Sequence, residues 1–395
     1  MGAMLTLEEA QDRVLALAPK MPIESALIET AAGRYLAQDL QAQRTQPPAD
    51  LSAMDGYAIG GEKQGPWKLV GESRAGTPFH QELSQGETVR ISTGAHVPDG
   101  ADRILIQENA QVDDENVSCF QDFPNALRHI RQRGFDFSAG DTVLNAGTYI
   151  GPAQLALAIG AGHGSLNVRR PPKVAILDSG DELVADPASC AEHQIPASNG
   201  AMIAAMLAEL GCEVVRLGPV PDDREALASA LAKAEDTDVL VTTGGASVGD
   251  HDLMRPALEA WGAKLDFWKV AMKPGKPIMV ATRGKQLIFG LPGNPVSSFV
   301  TCFLFVLPLV RAAMGARQPL PARATLTAGC TLPSIGSRRE FLRAYWDGES
   351  VQLAESQDSS ALAALAQANC LIDRPAHSDE IEAGTPVPCL LLKNG

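Results

Sequence analysis

The middle third of the chain alternates short apolar runs with stretches of helical periodicity. The runs predict buried strands, at residues 174–177, 213–217, 238–241, 265–272 and 287–289. Between the first two runs, Met202, Met206, Leu207 and Leu210 recur at the spacing of one helix face, and Gly211 ends that helix. Strands separated by helices of this length predict parallel βαβ units, and therefore an open, mostly parallel sheet with helices on both faces.

The two flanks of this region follow a different pattern. Thr6 and Glu9 form a capping-box sequence that opens an amphipathic helix. Residues 45–130 contain short alternating runs divided by Gly, Pro and Asp turns, which predicts a small β-rich domain. Beyond a proline-containing linker at 317–321, short strands and one Ala/Leu-rich stretch (359–368) predict a second β domain that includes a helix.

Charge and cysteine usage narrow the class of protein. The 395 residues include 33 Lys and Arg against 47 Asp and Glu, a net charge of −14. This balance argues against nucleic acid or an anionic membrane as a general partner, because no surplus of positive charge can neutralise phosphates. Seven scattered cysteines, none in a C-x-x-C pair, argue against a disulfide framework or a structural zinc site, and we expect a cytoplasmic protein.

The most apolar segment, residues 296–310, could be mistaken for a membrane span. It is shorter than the roughly 20 residues that cross a bilayer, and it contains Pro308. We therefore predict a buried helix that closes the α/β unit.

Four polar, glycine-containing loops follow predicted strands. They are DSGDEL (178–183), TTGGASVGDHD (242–252), MKPGKP (272–277) and LPGNP (291–295). Ligands of open α/β sheets bind at the carboxyl ends of the strands, so these loops predict one site at one edge. Glycine lets the backbone approach a ligand closely, and free N–H groups beside hydroxyls can cradle an anion.

The carboxylates of these loops are candidate metal ligands. Glu182, Asp222, Asp223 and Asp252 all follow predicted strands, and hard oxygen ligands of this kind suit Mg²⁺. For Asp222 and Asp223, capping of the following helix is an alternative role.

Lysines surround the end of the fourth strand. Lys269, Lys273 and Lys276 predict an oxyanion or phosphate site beside the metal, with a salt-bridge network as the alternative. LPGNP is followed by a helix that begins near Pro295, so it offers a helix N-terminus to an anion.

Six motifs in order carry a family resemblance. SAMDGYA (52–58), STGAHVPDGAD (92–102), DSGDEL, TTGGASVGDHD, KPGKP (273–277) and LPGNPVS (291–297) resemble the molybdopterin molybdotransferases, which include the E domain of gephyrin. The resemblance spans nearly the whole chain. It implies a homodimer with four domains: an N-terminal linking domain (1–44 with 133–168), a β-rich inserted domain (45–132), an α/β domain of molybdopterin-binding type (169–316) and a C-terminal β-barrel-like domain (317–395).

The resemblance also implies a reaction and roles for residues. Adenylylated molybdopterin would be hydrolysed with Mg²⁺ and molybdate, or tungstate, as the inserted oxyanion, releasing AMP and the molybdenum cofactor. The molybdopterin adenylyltransferase is the expected partner protein. By the same resemblance, the catalytic residues would be Asp252, Lys273, Lys269 and Asp55. The substrate-binding residues would be Thr93, Gly244, Gly245, Ser247, Gly249, Lys276, Pro292, Gly293, Asn294 and Ser297.

Two other classes stay open at this point. A molybdopterin adenylyltransferase shares a related sheet domain with a GG-x-S-x-G-x-x-D motif, but typically lacks the SAMDGYA-type region and the C-terminal β domain. A gephyrin-like scaffold is the non-enzymatic alternative, although this chain has no second pterin-binding domain and no long linker. The chain departs from the family pattern at His96, at Phe135 and over residues 356–360.

Overall fold

The computed structural model describes residues 4–244 and 253–392. Its N-terminal segment is a capped helix. Helix α1 (Leu7–Ala16) starts after Thr6, whose hydroxyl accepts the N–H of Glu9 at 3.2 Å. The Glu9 carboxylate accepts the N–H of Thr6 at 2.8 Å. The predicted capping box is confirmed, and it fixes where the helix begins.

Short strands occupy the rest of the N-terminal part. They are β1 (Ile23–Leu27), β2 (Leu40–Gln41), β3 (Leu51–Ser52), β4 (Gly56–Ile59), β5 (Trp67–Ser73), β6 (Glu87–Ile91), β7 (Arg103–Ile106), β8 (Ala110–Asp113), β9 (Asn116–Cys119), β10 (Ile130–Arg131), β11 (Thr142–Leu144) and β12 (Ser165–Arg169), with helix α2 (Pro152–Gly160) before β12. Strands β4 to β9 form one six-stranded sheet in the order β7-β4-β6-β5-β9-β8, which confirms the predicted β-rich region.

A two-stranded ribbon leads into and out of this β-rich sheet. Strand β2 pairs antiparallel with β11, and β3 pairs antiparallel with β10. An isolated bridge between Gln46 and Phe137 continues the pairing between them. The entering and leaving chains therefore run side by side.

The α/β unit follows β12. Its elements are β13 (Lys173–Asp178), β14 (Leu183–Val184), β15 (Ile195–Pro196), α3 (Asn199–Ala208), β16 (Glu213–Arg216), α4 (Arg224–Lys233), β17 (Val239–Thr243), α5 (Met254–Ala260), β18 (Lys264–Lys269), β19 (Met272–Lys273), β20 (Pro277–Arg283), β21 (Gln286–Leu291), α6 (Pro295–Thr301), a π-helical segment (Cys302–Val306) and α7 (Leu307–Ala313). One apolar core packs α1, α3 and the helix 295–313 on one sheet face, and another packs α4 and α5 on the opposite face.

The central sheet has the order β16-β13-β17-β21-β20-β18. Its first four strands are parallel, as predicted, but β20 pairs antiparallel with both β21 and β18. Strand β20 was not predicted from the sequence, because Pro277 was assigned to the lysine-containing loop. The hairpin of β20 and β21 also needs only a short turn at Gly284, whose φ is +59°. Because β20 is antiparallel to both β21 and β18, β18 runs in the same direction as β21. The carboxyl end of β18 therefore lies at the same edge as those of β13, β17 and β21.

The predicted apolar helix is confirmed and longer than expected. Residues Pro295–Ala313 form 19 residues of helix with a mean hydropathy of 1.9, long and apolar enough by these criteria to cross a membrane. However, 89% of its most apolar window is buried inside the protein. The helix is therefore covered by the sheet, α1 and α3 rather than by lipid.

A π-helical turn accommodates Pro308 within this helix. Proline has no N–H, so Pro308 cannot donate to the carbonyl of Leu304. The N–H of the preceding Leu307 donates to the Cys302 carbonyl, which is the hydrogen bond of a π-helical turn. The Leu304 carbonyl accepts the side-chain N–H of Gln11 from α1 at 3.0 Å. A buried side chain on one helix thus satisfies the acceptor that the proline leaves open.

The C-terminal part is a closed barrel. Its elements are β22 (Arg323–Ala328), β23 (Arg339–Trp346), β24 (Ser350–Leu353), α8 (Leu362–Gln367), β25 (Cys370–Arg374) and β26 (Pro386–Leu391). The strand order β23-β24-β22-β26-β25 closes through a pairing of β23 with β25. This confirms the predicted barrel-like domain, whereas the predicted domain boundaries stay predictions.

We expect Gln11→Leu to destabilise the protein by about 1–3 kcal/mol, because the buried Leu304 carbonyl loses its hydrogen-bond donor. Urea unfolding followed by circular dichroism would show a lower midpoint. Asp12→Asn, on the exposed face of the same helix, is the control and should leave the midpoint unchanged. Equal midpoints for Gln11→Leu and the parent chain would contradict this role.

Candidate functional site

Three parallel strands end level with one another. Asp178 at the end of β13 pairs with Thr243 at the end of β17, and Thr243 pairs with Leu291 at the end of β21. The ends of these strands, together with the end of β18, therefore lie at one edge of the sheet, and Gly244 is the last described residue after β17. The structure confirms the predicted convergence, and two clefts open there.

The first cleft, which we call the wide cleft, has a volume of about 510 Å³. Among the predicted site residues it is lined by Glu182, Gly244, Gly293 and Asn294. Its further lining residues combine hydroxyl and amide groups with apolar side chains: Asp178, Ser179, Leu183, Ile195, Pro196, Ala197, Ser198, Asn199, Thr243, Pro295, Ser360 and Leu362. Apolar walls with a small number of polar groups are typical of a small-molecule site.

The second cleft, which we call the lysine pocket, has a volume of about 400 Å³. It contains Lys273, Lys276 and Ser297 from the α/β unit. The barrel contributes Arg338, Glu340, Phe341, Leu342, Gln357, Asp358 and Ser359. The pocket's three cations outnumber its two carboxylates by one, which favours a small anion.

A pair of hydrogen bonds separates the two clefts. The side-chain amide of Asn294 donates to the Ser359 hydroxyl at 2.8 Å, and the N–H of Val296 donates to the Ser359 carbonyl at 3.1 Å. The loop 356–360 thus meets the N-terminus of α6, with Ser360 on the side of the wide cleft and Asp358 on the side of the lysine pocket. The contact between the loop 356–360 and the start of α6 therefore contributes to the walls of both clefts.

Asp178 forms part of the floor of the wide cleft. Its carboxylate accepts the Thr243 hydroxyl at 2.6 Å and lies 3.7 Å from the Arg216 guanidinium. Burial raises the pKa of Asp178 above its ordinary value, and these partners offset part of that effect. Gly200 at the start of α3 has no side chain, and any Cβ there would collide with this carboxylate. The sequence analysis missed this role.

The backbone at Gly244 closes the same floor. Its φ of +87° lies in the left-handed region, and a Cβ would collide with the carbonyl of Ser179. A side chain at Gly244 would therefore collide with the neighbouring loop after β13, whereas the role of Gly244 in holding a ligand stays a prediction.

The predicted metal ligands take different positions. Asp223 caps α4, because its Oδ1 accepts the N–H groups of Glu225 and Ala226, both at 2.9 Å. The N–H of Asp222 donates to Asp181 at 3.0 Å. Partial burial raises the pKa of Asp222, and the negative charges of Asp181 and Glu182 raise it further.

These carboxylates fit Mg²⁺ in chemistry but form only part of a site. Within residues 4–244 and 253–392, no group of three His, Cys, Asp or Glu could hold a metal ion. Glu182 and Asp222 have no ion-pair partner in the same part of the chain, so their mutual repulsion is uncompensated there. A divalent cation with oxygen ligands would relieve that repulsion.

Backbone hydrogen bonds on both sides hold the segment 269–273. The N–H of Leu5 donates to the Lys269 carbonyl at 3.2 Å, and the N–H of Ala271 donates to the Leu5 carbonyl at 2.8 Å. From the barrel, the N–H of Arg339 donates to the Ala271 carbonyl at 3.1 Å, and β19 pairs parallel with β23. Lys269 therefore anchors the segment through its backbone and lines neither cleft among the described residues.

An ionic contact links α1 to the barrel beside this segment. The Arg339 guanidinium forms two hydrogen bonds with the buried Asp373 carboxylate, at 2.5 and 2.6 Å, and also pairs with Glu8. Arg323 contacts the same Asp373 at 2.9 Å. The barrel is thereby held against α1.

Asp55 and Thr93 pair with each other away from both clefts. The N–H and hydroxyl of Thr93 donate to Asp55 Oδ1 at 2.6 and 3.1 Å, and they lower the pKa of Asp55 below its ordinary value. No hydrogen bond or ion pair connects either residue to the sheet-edge loops within the described part of the chain.

The remaining predicted residues are Pro292 and four residues of the glycine-rich loop. Pro292 uses its carbonyl to accept the Ser298 hydroxyl, which holds the start of α6. Gly245, Ser247, Gly249 and Asp252 lie outside the described residues.

The sequence analysis missed the barrel's share of the site. Arg338, Glu340, Ser359 and Ser360 line the clefts from sequence positions at least 60 residues beyond the lysine-containing loop. The turn-rich stretch 356–360 was the available signal. Buried Arg343 shapes that stretch by donating to the carbonyls of Ser356 and Asp358 at 2.8 and 3.0 Å.

Comparison with known proteins identifies the family. The chain matches the "MoeA N-terminal region (domain I and II)" over residues 5–162, the "Probable molybdopterin binding domain" over 175–312 and the "MoeA C-terminal region (domain IV)" over 325–392. The molybdopterin molybdenumtransferase of Haemophilus influenzae is 33% identical over 97% of this chain and 98% of its own length. That of Bacillus subtilis is 32% identical over 98% and 94%.

A solved structure agrees with this assignment. The molybdopterin biosynthesis MoeA protein of Pyrococcus horikoshii superposes with a TM-score of 0.85 at 25% identity, covering 98% of this chain and 100% of its own. The chain therefore belongs to the molybdopterin molybdenumtransferase family, a family of transferase enzymes. Because the match includes the N-terminal and C-terminal regions, the adenylyltransferase alternative is set aside. The names of the curated relatives favour the enzyme over the scaffold.

We expect Asp223→Ala to lower stability by about 0.5–2 kcal/mol, because α4 loses its N-cap. Asp222→Asn should not lower stability, since it removes a repelling charge and no cap. Thermal unfolding of both variants at pH 7 measures the difference. An equal loss in the two variants would show that the hydrogen bonds at Asp223 do not stabilise the helix.

Proposed function

We propose that this chain inserts molybdate into adenylylated molybdopterin and releases AMP and the molybdenum cofactor. The observation that carries the proposal is the pair of adjoining clefts, one with polar groups and apolar walls, the other cationic. A pterin nucleotide in the wide cleft and molybdate in the lysine pocket would lie on either side of the contact between Asn294 and Ser359. This arrangement would place the two substrates next to each other.

Groups from several loops would stabilise the negative charges of the two substrates. The loop that begins at Gly244, with Gly245, Ser247 and Gly249, would cradle the phosphates through backbone N–H groups and a hydroxyl. The N-terminus of α6 adds its partial positive charge near Gly293 and Asn294. Lys273, Lys276 and Ser297 would hold the oxyanion, and Lys269 positions the segment that carries Lys273.

We propose Glu182, Asp222 and Asp252 as the residues that would hold Mg²⁺. Asp222 is the stronger candidate of the adjacent pair, because Oδ1 of Asp223 already accepts two backbone N–H groups. When bound, Mg²⁺ would neutralise charge on phosphate oxygens and so favour cleavage of the phosphoanhydride. Asp252 would complete a ligand set that the described carboxylates begin.

Asp55 and Thr93 would complete the site of a partner subunit. Their mutual hydrogen bonds order them as a unit, yet they make no contact with the clefts of their own chain within the described residues. We therefore propose a homodimer in the cytoplasm, with the molybdopterin adenylyltransferase as the supplier of substrate.

Incubation with adenylylated molybdopterin, MgCl₂ and molybdate should release AMP and yield active cofactor. Glu182→Gln should slow AMP release by about 10²–10³-fold, because a carboxylate facing the metal and phosphates loses its charge. Binding of the pterin nucleotide, measured by fluorescence, should fall much less. Glu192→Gln, an exposed residue between β14 and β15, is the matched control. Undiminished AMP release by Glu182→Gln would remove Glu182 from the metal site.

Subunit mixing tests the proposed dimer. Asp55→Asn and Glu182→Gln should each be inactive alone, because each removes one component of every site. When the two variants are coexpressed, about half of the dimers are heterodimers, and each heterodimer has one intact site of two, so about a quarter of the parent activity should return. No recovery in heterodimers purified with two affinity tags would show that Asp55 and Glu182 serve the same chain's site.

A further inference from the structure

A carboxylate lies inside the lysine pocket, where an anion site would be expected to exclude one. Both oxygens of Glu340 lie 3.2 Å from Lys273 Nζ. The Glu340 side chain is 16% exposed and that of Lys273 is 50% exposed, so Lys273 is the partner that an anion from solvent reaches more easily. In this structure Glu340 is paired with Lys273, the lysine that an oxyanion would need.

The charges of the pocket are therefore partly balanced. Lys273, Lys276 and Arg338 contribute three positive charges, and Glu340 and Asp358 contribute two negative charges, which leaves one. Asp358 is engaged elsewhere, since its Oδ1 accepts both the N–H and the hydroxyl of Ser360. Lys276 and Arg338 have no ion-pair partner in the described part of the chain. Glu340 is thus the carboxylate that competes directly with an entering anion.

A buried arginine lies behind Glu340. Arg374 on β25 is directly opposite Glu340 on β23, so both side chains are on the same face of the barrel wall. Arg374 is fully buried, and its Nε and Nη1 have no hydrogen-bond partner among residues 4–244 and 253–392. Its Nη2 donates to the Asp379 carbonyl and the Ser378 hydroxyl. A buried guanidinium without a carboxylate is costly, and Glu340 is the acidic residue that faces it.

We propose that Glu340 determines the anion specificity of the lysine pocket by acting as an exchangeable counter-ion. This inference rests on the proposed function of the pocket. An oxyanion that enters takes Lys273, and Glu340 then has Arg374 as its remaining partner. A dianion such as molybdate gains enough from Lys273, Lys276 and Arg338 to displace Glu340, whereas a monoanion such as chloride gains less and is excluded.

The test is the direction in which molybdate affinity changes when Glu340 loses its charge. Isothermal titration with molybdate, at constant ionic strength in potassium gluconate or potassium chloride, should show weak chloride competition for the parent chain. Glu340→Gln should bind molybdate about fivefold more tightly in gluconate, because a half-exposed ion pair no longer competes. It should also lose that advantage in chloride. Unchanged or weaker molybdate binding by Glu340→Gln would overturn the proposal and make Glu340 a residue that holds Lys273 in place.

A second variant covers the possibility that Gln at this position disturbs folding beside Arg374. Glu340→Asp keeps the charge near Arg374 and withdraws it from Lys273, so it should tighten molybdate binding to a smaller extent. Weaker binding by this variant would equally overturn the proposal. Glu349→Gln, on an exposed turn of the same barrel, is the control and should match the parent chain.

Lys276→Ala separates this inference from the function on which it rests. It should weaken molybdate binding if the lysine pocket is the oxyanion site. If Lys276→Ala binds molybdate normally, the assignment of the pocket fails, and the counter-ion role fails with it. If Lys276→Ala weakens binding but Glu340→Gln does not tighten it, only the counter-ion role fails.

Discussion

The backbone of residues 269–273 is held from both sides, and the geometry of the site depends on this constraint. Leu5 provides hydrogen bonds on one side, and Arg339 at the start of β23 provides one on the other. Backbone hydrogen bonds of this kind fix register, so the direction of Lys273 follows from two segments more than 300 residues apart in sequence. The ionic contacts of Arg339 with Asp373 and Glu8 secure the same junction. The lysine pocket therefore exists only when three parts of the chain are assembled.

Local patterns predicted much of the fold because they report local forces. Apolar runs marked the parallel strands, Thr6 and Glu9 marked the start of α1, and glycine-rich loops after strands marked one edge of the sheet. Strand β20 was missed because its first residue, Pro277, belongs to the lysine-containing motif, and its hairpin carries no Asn-Gly or Asp-Gly signal.

The candidate site was only half predictable for a different reason. The residues of the α/β loops follow strands directly, so topology alone brings them together. Glu340 and Ser359 reach the clefts because the barrel packs against the sheet edge, a contact between distant segments that no short motif encodes. The role of Asp178 depends on Thr243 and Arg216, which come from two other strands. Likewise, the sequence alone could not show that Asp223 caps a helix whereas the Asp222 carboxylate has no partner among the described residues.

The ribbon that leads to the β-rich sheet affects how the rest of the fold tolerates changes in that sheet. Its two strands enter and leave side by side, through the pairings of β2 with β11 and β3 with β10. An insertion joined in this way disturbs its host little, since the cut ends of the host are already adjacent. We therefore expect the rest of the fold to tolerate changes in the size or content of the β-rich sheet, as long as the ribbon pairings are kept.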